Sequence, residues 1–166
     1  MVGFELQATM RFLILLVCLI TACKSPSIVD NCDANDTLSG QMSARLNGNT
    51  WKASEVVWNQ SGSSVQINTE LKDGWRLSIV LQRSDSDETP SEAIGNFGPW
   101  LFDLSGGGGG WVTAYPQTGN SISSRTSGDG QFILQQLDDE LKGCLELNTS
   151  DLTIESGRLN ASPLGG

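Results

Sequence analysis

Val65-Gln66-Ile67-Asn68-Thr69-Glu70-Leu71-Lys72-Asp73-Gly74-Trp75-Arg76-Leu77-Ser78-Ile79-Val80-Leu81 decides the fold of this chain. Apolar or semipolar residues recur at every second position on both sides of an Asp-Gly pair. Successive side chains of a strand point to opposite faces, so Val65, Ile67, Thr69 and Leu71 share one face. Trp75, Leu77, Ile79 and Leu81 share a face of the partner strand, and the polar residues between them turn outward. A two-residue type I′ turn needs positive φ at both central positions, which Asp-Gly accepts. The stretch predicts a β-hairpin buried on one side.

The same signals continue on both sides. Met42-Ser43-Ala44-Arg45-Leu46, then Asn47-Gly48, then Thr50-Trp51-Lys52-Ala53 predicts a second hairpin, and Val56-Val57-Trp58 a further short strand. Downstream, residues 83–92 form a charged loop, and Gly95-Asn96-Phe97-Gly98-Pro99-Trp100-Leu101-Phe102 is aromatic and rich in turn residues. The glycines at 106–110 are too flexible for the interior of a regular element. Strand character resumes at Trp111-Val112-Thr113-Ala114-Tyr115 and at Phe132-Ile133-Leu134. It returns after Asp138-Asp139-Glu140 over residues 141–147, and again from Leu152 past Gly157 to Leu159. No segment of helical length carries a helical stripe. Residues 40–166 therefore predict a single all-β domain, an antiparallel β-sandwich or partly open barrel.

Ahead of that domain, Arg11 precedes an apolar run at 12–20, which ends in Ile20-Thr21-Ala22-Cys23. A basic residue, a short apolar core and small residues are the layout of a secretory signal, and the run is too short to span a bilayer. Met10-Arg11 makes a compact basic start, whereas Glu5 is out of place in such a leader, so Met10 is the expected start. The segment resembles the signal of bacterial lipoproteins, whose lipobox ends in the cysteine that receives lipid. That resemblance implies a signal peptide at 1–22, lipid on Cys23, and a membrane as partner through the acyl chains. Lys24 stands where an Asp would favour retention at the inner membrane, so the resemblance implies the outer membrane. Residues 23–39 are then the lipidated cysteine and a polar tether, with Pro26, Asp30, Asp33 and Asp36 and no apolar periodicity.

Four cysteines divide by position. Cys18 leaves with the signal and Cys23 takes lipid, which leaves Cys32 and Cys144 in an exported chain where oxidation is permitted. They are expected to pair; the alternative is two separate thiols. The formal net charge is −9, and residues 1–22 hold one acid and one base, so the exported part keeps it. Such a charge repels nucleic acid and anionic lipid alike. The chain has no histidine, which excludes a Ser-His-Asp triad and any His-ligated metal.

The domain itself is similar to small bacterial lipoproteins of uncharacterised role. The resemblance rests on Ala44-Arg45-Leu46-Asn47-Gly48-Asn49-Thr50-Trp51-Lys52-Ala53 near its start. At its end it rests on 132–137, Asp138-Asp139-Glu140, Lys142-Gly143-Cys144-Leu145 and Thr153-Ile154-Glu155-Ser156-Gly157. It implies a β-sandwich-like, envelope-anchored domain and supplies no catalytic residue.

Candidate sites are few. Five tryptophans stand against one tyrosine. Trp51 and Trp75 fall on apolar faces and read as core. Phe97, Trp100, Phe102 and Trp111 flank the glycine run and offer an exposed aromatic patch for a glycan or peptide, with core packing as the competing reading. Asp85, Asp87, Glu88 and Glu92 give oxygen ligands in one loop but lack the EF-hand spacing, so a solvated charge run is expected and no metal. Asp129 and Asp138-Asp139-Glu140 read as turn chemistry. The glycines lack the Lys-Ser/Thr ending and the helix of a phosphate cradle. The expected function is binding or structural association at the cell envelope, without catalysis or a cofactor, toward an envelope protein or glycan. A glycan- or peptide-binding module at 97–111 is the alternative, and a hydrolase using loop carboxylates the third reading.

Overall fold

The computed structural model describes residue 28 and residues 32–82, 100–104, 109–125 and 128–165. The signal segment, Cys23, Phe97, the acidic loop at 83–92 and Gly106 to Gly108 lie outside the described residues.

Eleven strands occur among the described residues. They are β1 (Gln41–Leu46), β2 (Asn49–Ala53), β3 (Val56–Ser61), β4 (Ser64–Thr69), β5 (Trp75–Gln82), β6 (Trp100–Asp103), β7 (Gly110–Pro116), β8 (Ile122–Ser123), β9 (Asp129–Leu137), β10 (Leu141–Asn148) and β11 (Thr153–Pro163). They form one curled, open sheet, a half-barrel, in the order β6-β9-β10-β11-β3-β4-β5-β7-β8, with β1 branching from β11 and carrying β2. The all-β expectation holds.

Both expected hairpins turn as their sequences dictate. Asn47 and Gly48 have φ of 48° and 78°, and Asp73 and Gly74 have 47° and 81°, the positive values of a type I′ turn. Ile67 faces Ile79 and Val65 faces Leu81 across the β4–β5 ladder, all four fully buried. Leu71, expected on that same face, is 54% exposed. The pairing Asn68↔Ser78 gives way to Lys72↔Trp75 beside the turn, which leaves one extra residue on the β4 side. Such a bulge shifts the register by one and sends Leu71 to the other face. Thr69 closes the gap, its Oγ1 accepting the Leu77 backbone N–H at 2.9 Å.

β11 holds the two parts of the sheet together. Along most of its length it pairs antiparallel with β10 on one edge and β1 on the other. β1 begins at Gln41, opposite Asn160, so the end of β11 is left with an open edge. Ser162 and Pro163 fill it by pairing parallel with Val57 and Trp58 of β3, and the Leu164 N–H donates to the Trp58 carbonyl at 2.7 Å. The sheet is therefore mixed at this junction, while the other strand pairings among the described residues are antiparallel as expected. The concave face carries the main core, including Met42, Trp51, Ile79, Phe102, Phe132 and Leu145.

Candidate functional site

The convex face of the β9–β10–β11 region is partly covered by the chain that precedes β1. Cys32 and Cys144, 112 positions apart, form a disulfide with their Cα atoms 5.7 Å apart. Ile28, Ala34, Ile133 and Cys144 make a second, smaller buried cluster there, with Cys32 packed against it. The Gln135 side chain fixes the same segment from β9: its Oε1 accepts from the Ala34 N–H at 3.2 Å and its Nε2 donates to the Cys32 carbonyl at 3.0 Å. Further along, buried Asn160 donates from Nδ2 to the Thr37 carbonyl at 3.0 Å and to Glu140 Oε2 at 3.1 Å. The hydroxyls of Ser39 and Ser162 lie 3.1 Å apart. Residues 32–39 thus pack on the β domain, because backbone groups left unpaired by any strand find distant side chains instead. Hydrogen bonds from Ser39 and Asn160, and then Lys142 nearby, hold the Glu140 carboxyl below its usual range.

Beside this clasp lies an acid-lined groove of about 680 Å³ bordered by Asp103, Asp129, Glu146 and Glu155, with Gln131 and Asn148 between them. Desolvation and then the Glu155 carboxylate push the Glu146 pKa upward. Arg45 Nη1 stands 3.9 Å from Glu155 Oε2 and offsets part of that charge. Among the described residues no three Asp, Glu or Cys side chains come close enough together to hold a metal ion.

Among the described residues, Trp100, Phe102 and Trp111 do not assemble as one aromatic surface. Phe102 is 2% exposed and belongs to the core. Trp100 stacks on it, ring centroids 5.6 Å apart, and packs against the same core. The two sit at i and i+2 of β6, so the pleat sends both inward while Leu101 between them faces out at 47% exposure. Trp111 stands on the other side of β7 from buried Val112 and Ala114, with the Arg125 guanidinium 4.7 Å above its ring. Phe97 lies outside the described residues.

The other tryptophans differ in what their indole N–H meets. Trp51 is buried as expected, and its Nε1 donates to the Lys72 carbonyl at 2.8 Å, tying the β2 strand to the bulged hairpin. The Trp58 Nε1 is buried without a partner among the described residues. Trp75 is half-buried: it packs against the core, as expected, and also lines a second groove, of about 700 Å³. The walls of that groove come from the β4–β5 turn, from Pro116 at the end of β7, from Gln117, Asn120 and Ser121 between β7 and β8, and from Asp151 between β10 and β11. The Gln117 backbone N–H donates to the Gly74 carbonyl at 2.7 Å, which locks two walls together. Asn47 holds the third, its Nδ2 donating to the Asp151 carbonyl at 3.4 Å and its Oδ1 accepting from the Thr153 N–H at 2.8 Å. Trp75 and Asp151 are distant in sequence, so neither groove was legible before the strands were paired.

No protein-family model, curated protein or solved structure matches this chain.

Proposed function

We propose that this protein is a lipid-anchored domain of the bacterial cell envelope, held at the outer membrane through Cys23, and that it works by binding or structural association and without catalysis. The observation that carries the reading is the disulfide clasp. Cys32 is bonded to Cys144 on the convex face, so at most about 30 Å of extended chain separates Cys23 from the folded body. A domain on so short a leash lies against the surface that holds its lipid. Disulfides persist in exported proteins, which agrees with the signal-like run at 12–20 and the lipobox resemblance ending at Cys23. The absence of histidine from the sequence removes the commonest general base and supports an association role.

Fractionation of cells producing the full chain tests the proposal. The wild-type protein should sediment with membranes and take up radiolabelled palmitate, and Cys23→Ala should abolish the label. Equal labelling of the two proteins, or none in either, would defeat the lipid anchor.

A further inference from the structure

The second groove has the chemistry of a site, and that chemistry differs from the acid-lined one. Trp75 contributes an indole whose inner part packs against the core and whose remainder lines the groove. Only Trp58 Nε1 and Asn160 Oδ1 are buried, unpaired side-chain polar atoms among the described residues, so the Trp75 N–H, which has no partner there, is open to solvent. Trp51 spends its N–H on the Lys72 carbonyl. Trp75 is therefore a half-buried indole that lines a concavity and keeps its donor open to solvent.

Around that ring stand groups that both donate and accept. Gln117, Asn120 and Ser121 are exposed, and their side chains make no hydrogen bond to other described residues. An amide offers a carbonyl acceptor and two N–H donors, and a hydroxyl offers both roles at one atom. Asp151 is the one charged residue of the lining, and Ser150 Oγ occupies its Oδ2 at 2.8 Å. The walls are pre-set by the Gln117–Gly74 and Asn47–Asp151 contacts, so a ligand would meet a formed groove. Its volume of about 700 Å³ lies within the range of small-molecule sites, roughly 300–1,000 Å³.

An apolar ring face beside groups of mixed donor and acceptor character suits a ligand that is apolar on its flat C–H face and hydroxylated around its edge. A sugar ring is such a ligand. A carboxylate at the rim and a net charge of −9 disfavour an anionic one. We propose that the groove between Trp75 and residues 116–122 binds a neutral oligosaccharide, one ring stacking on the Trp75 indole and its hydroxyls bonding Gln117, Asn120 and Asp151. This inference stands apart from the lipid anchor, and neither fails with the other.

The test follows the indole N–H resonances of the full chain in dodecylphosphocholine micelles, a detergent without a sugar headgroup. Trp75→Phe assigns the Trp75 signal by its loss. Cellotetraose, chitotetraose and maltotetraose are titrated separately, with tetra-alanine as the peptide comparison. At least one saccharide should shift the Trp75 signal saturably while the Trp51 signal stays in place. Gln117→Ala and Asn120→Ala, which lie on an exposed loop and should leave the melting temperature unchanged, should each weaken that binding about fivefold. No saturable shift with any of the three saccharides would overturn the proposal. So would a shift indifferent to both loop variants, or saturation by tetra-alanine alone.

Discussion

Gly143 of β10 lies directly beneath the ring of Phe132 on β9. A Cβ at residue 143 would stand 2.6 Å from both Phe132 Cε1 and Cζ and 2.5 Å from the Ile133 carbonyl oxygen. The next residue, Cys144, points the opposite way, into the disulfide. β10 therefore gives up a side chain on its concave face to seat an aromatic ring, and uses the following position to tie down the chain on its convex face.

Gly143→Ala should accordingly be badly tolerated, since one of the blocking atoms belongs to the backbone and cannot rotate away. Overpacking of this kind costs about 1–3 kcal/mol. Denaturant unfolding followed by circular dichroism should show the midpoint falling with the slope unchanged. A midpoint equal to that of the wild type would mean that the two strands separate freely at this point.

The clasp should be worth more. In the chain-entropy account, a cross-link closing a loop of this length contributes about 4–5 kcal/mol, less any native strain. Cys32→Ser, Cys144→Ser and the reduced wild type should share one lowered stability, because each removes the same constraint. If reduction left the unfolding curve in place, the docking of residues 32–39 would rest on the hydrogen bonds to Gln135, Asn160 and Ser162 and on the packing of Ala34.

Glu146 supplies a pH signature. Burial and the neighbouring Glu155 raise its pKa above the ordinary 4.5. A carboxyl raised in the folded state adds stability at pH below its unfolded value and withdraws it as pH climbs through the folded value. Glu146→Gln should therefore raise the melting temperature at pH 7, and the gain should shrink toward zero below about pH 4.5. A variant that gains nothing at pH 7, or gains most in acid, would contradict that sign.

Period-two patterning made the hairpins and the all-β class legible, because a half-buried strand writes its buried face into every second residue. The same rule, applied to Trp100-Leu101-Phe102-Asp103, would have placed Trp100 and Phe102 together on the inner face of a strand. Placed as loop aromatics beside a glycine run, they leave core packing only as the competing reading. Leu71 deceived for a different reason: a single extra residue before the Asp73-Gly74 turn slips the register, and nothing local announces it. The tail of β11 switches partner where β1 happens to begin, a fact of tertiary pairing. The clasp was half legible. Two cysteines left after a signal-like segment suggest a bond, but residues 32–39 show no periodicity. Long-range hydrogen bonds from them run to Gln135, Asn160 and Ser162, each more than a hundred positions away. The Trp75 groove joins three turns from distant parts of the chain and has no sequence signature of its own.

A lipid on Cys23 and the Cys32–Cys144 clasp should together hold the β domain close to a membrane. Mass spectrometry of the protein extracted from bacterial membranes, digested without reductant, tests both halves at once. The clasp predicts a linked peptide containing Cys32 and Cys144, and the lipid anchor an acylated N-terminal peptide that begins at Cys23. A mature N-terminal peptide extending upstream of Cys23 would contradict it.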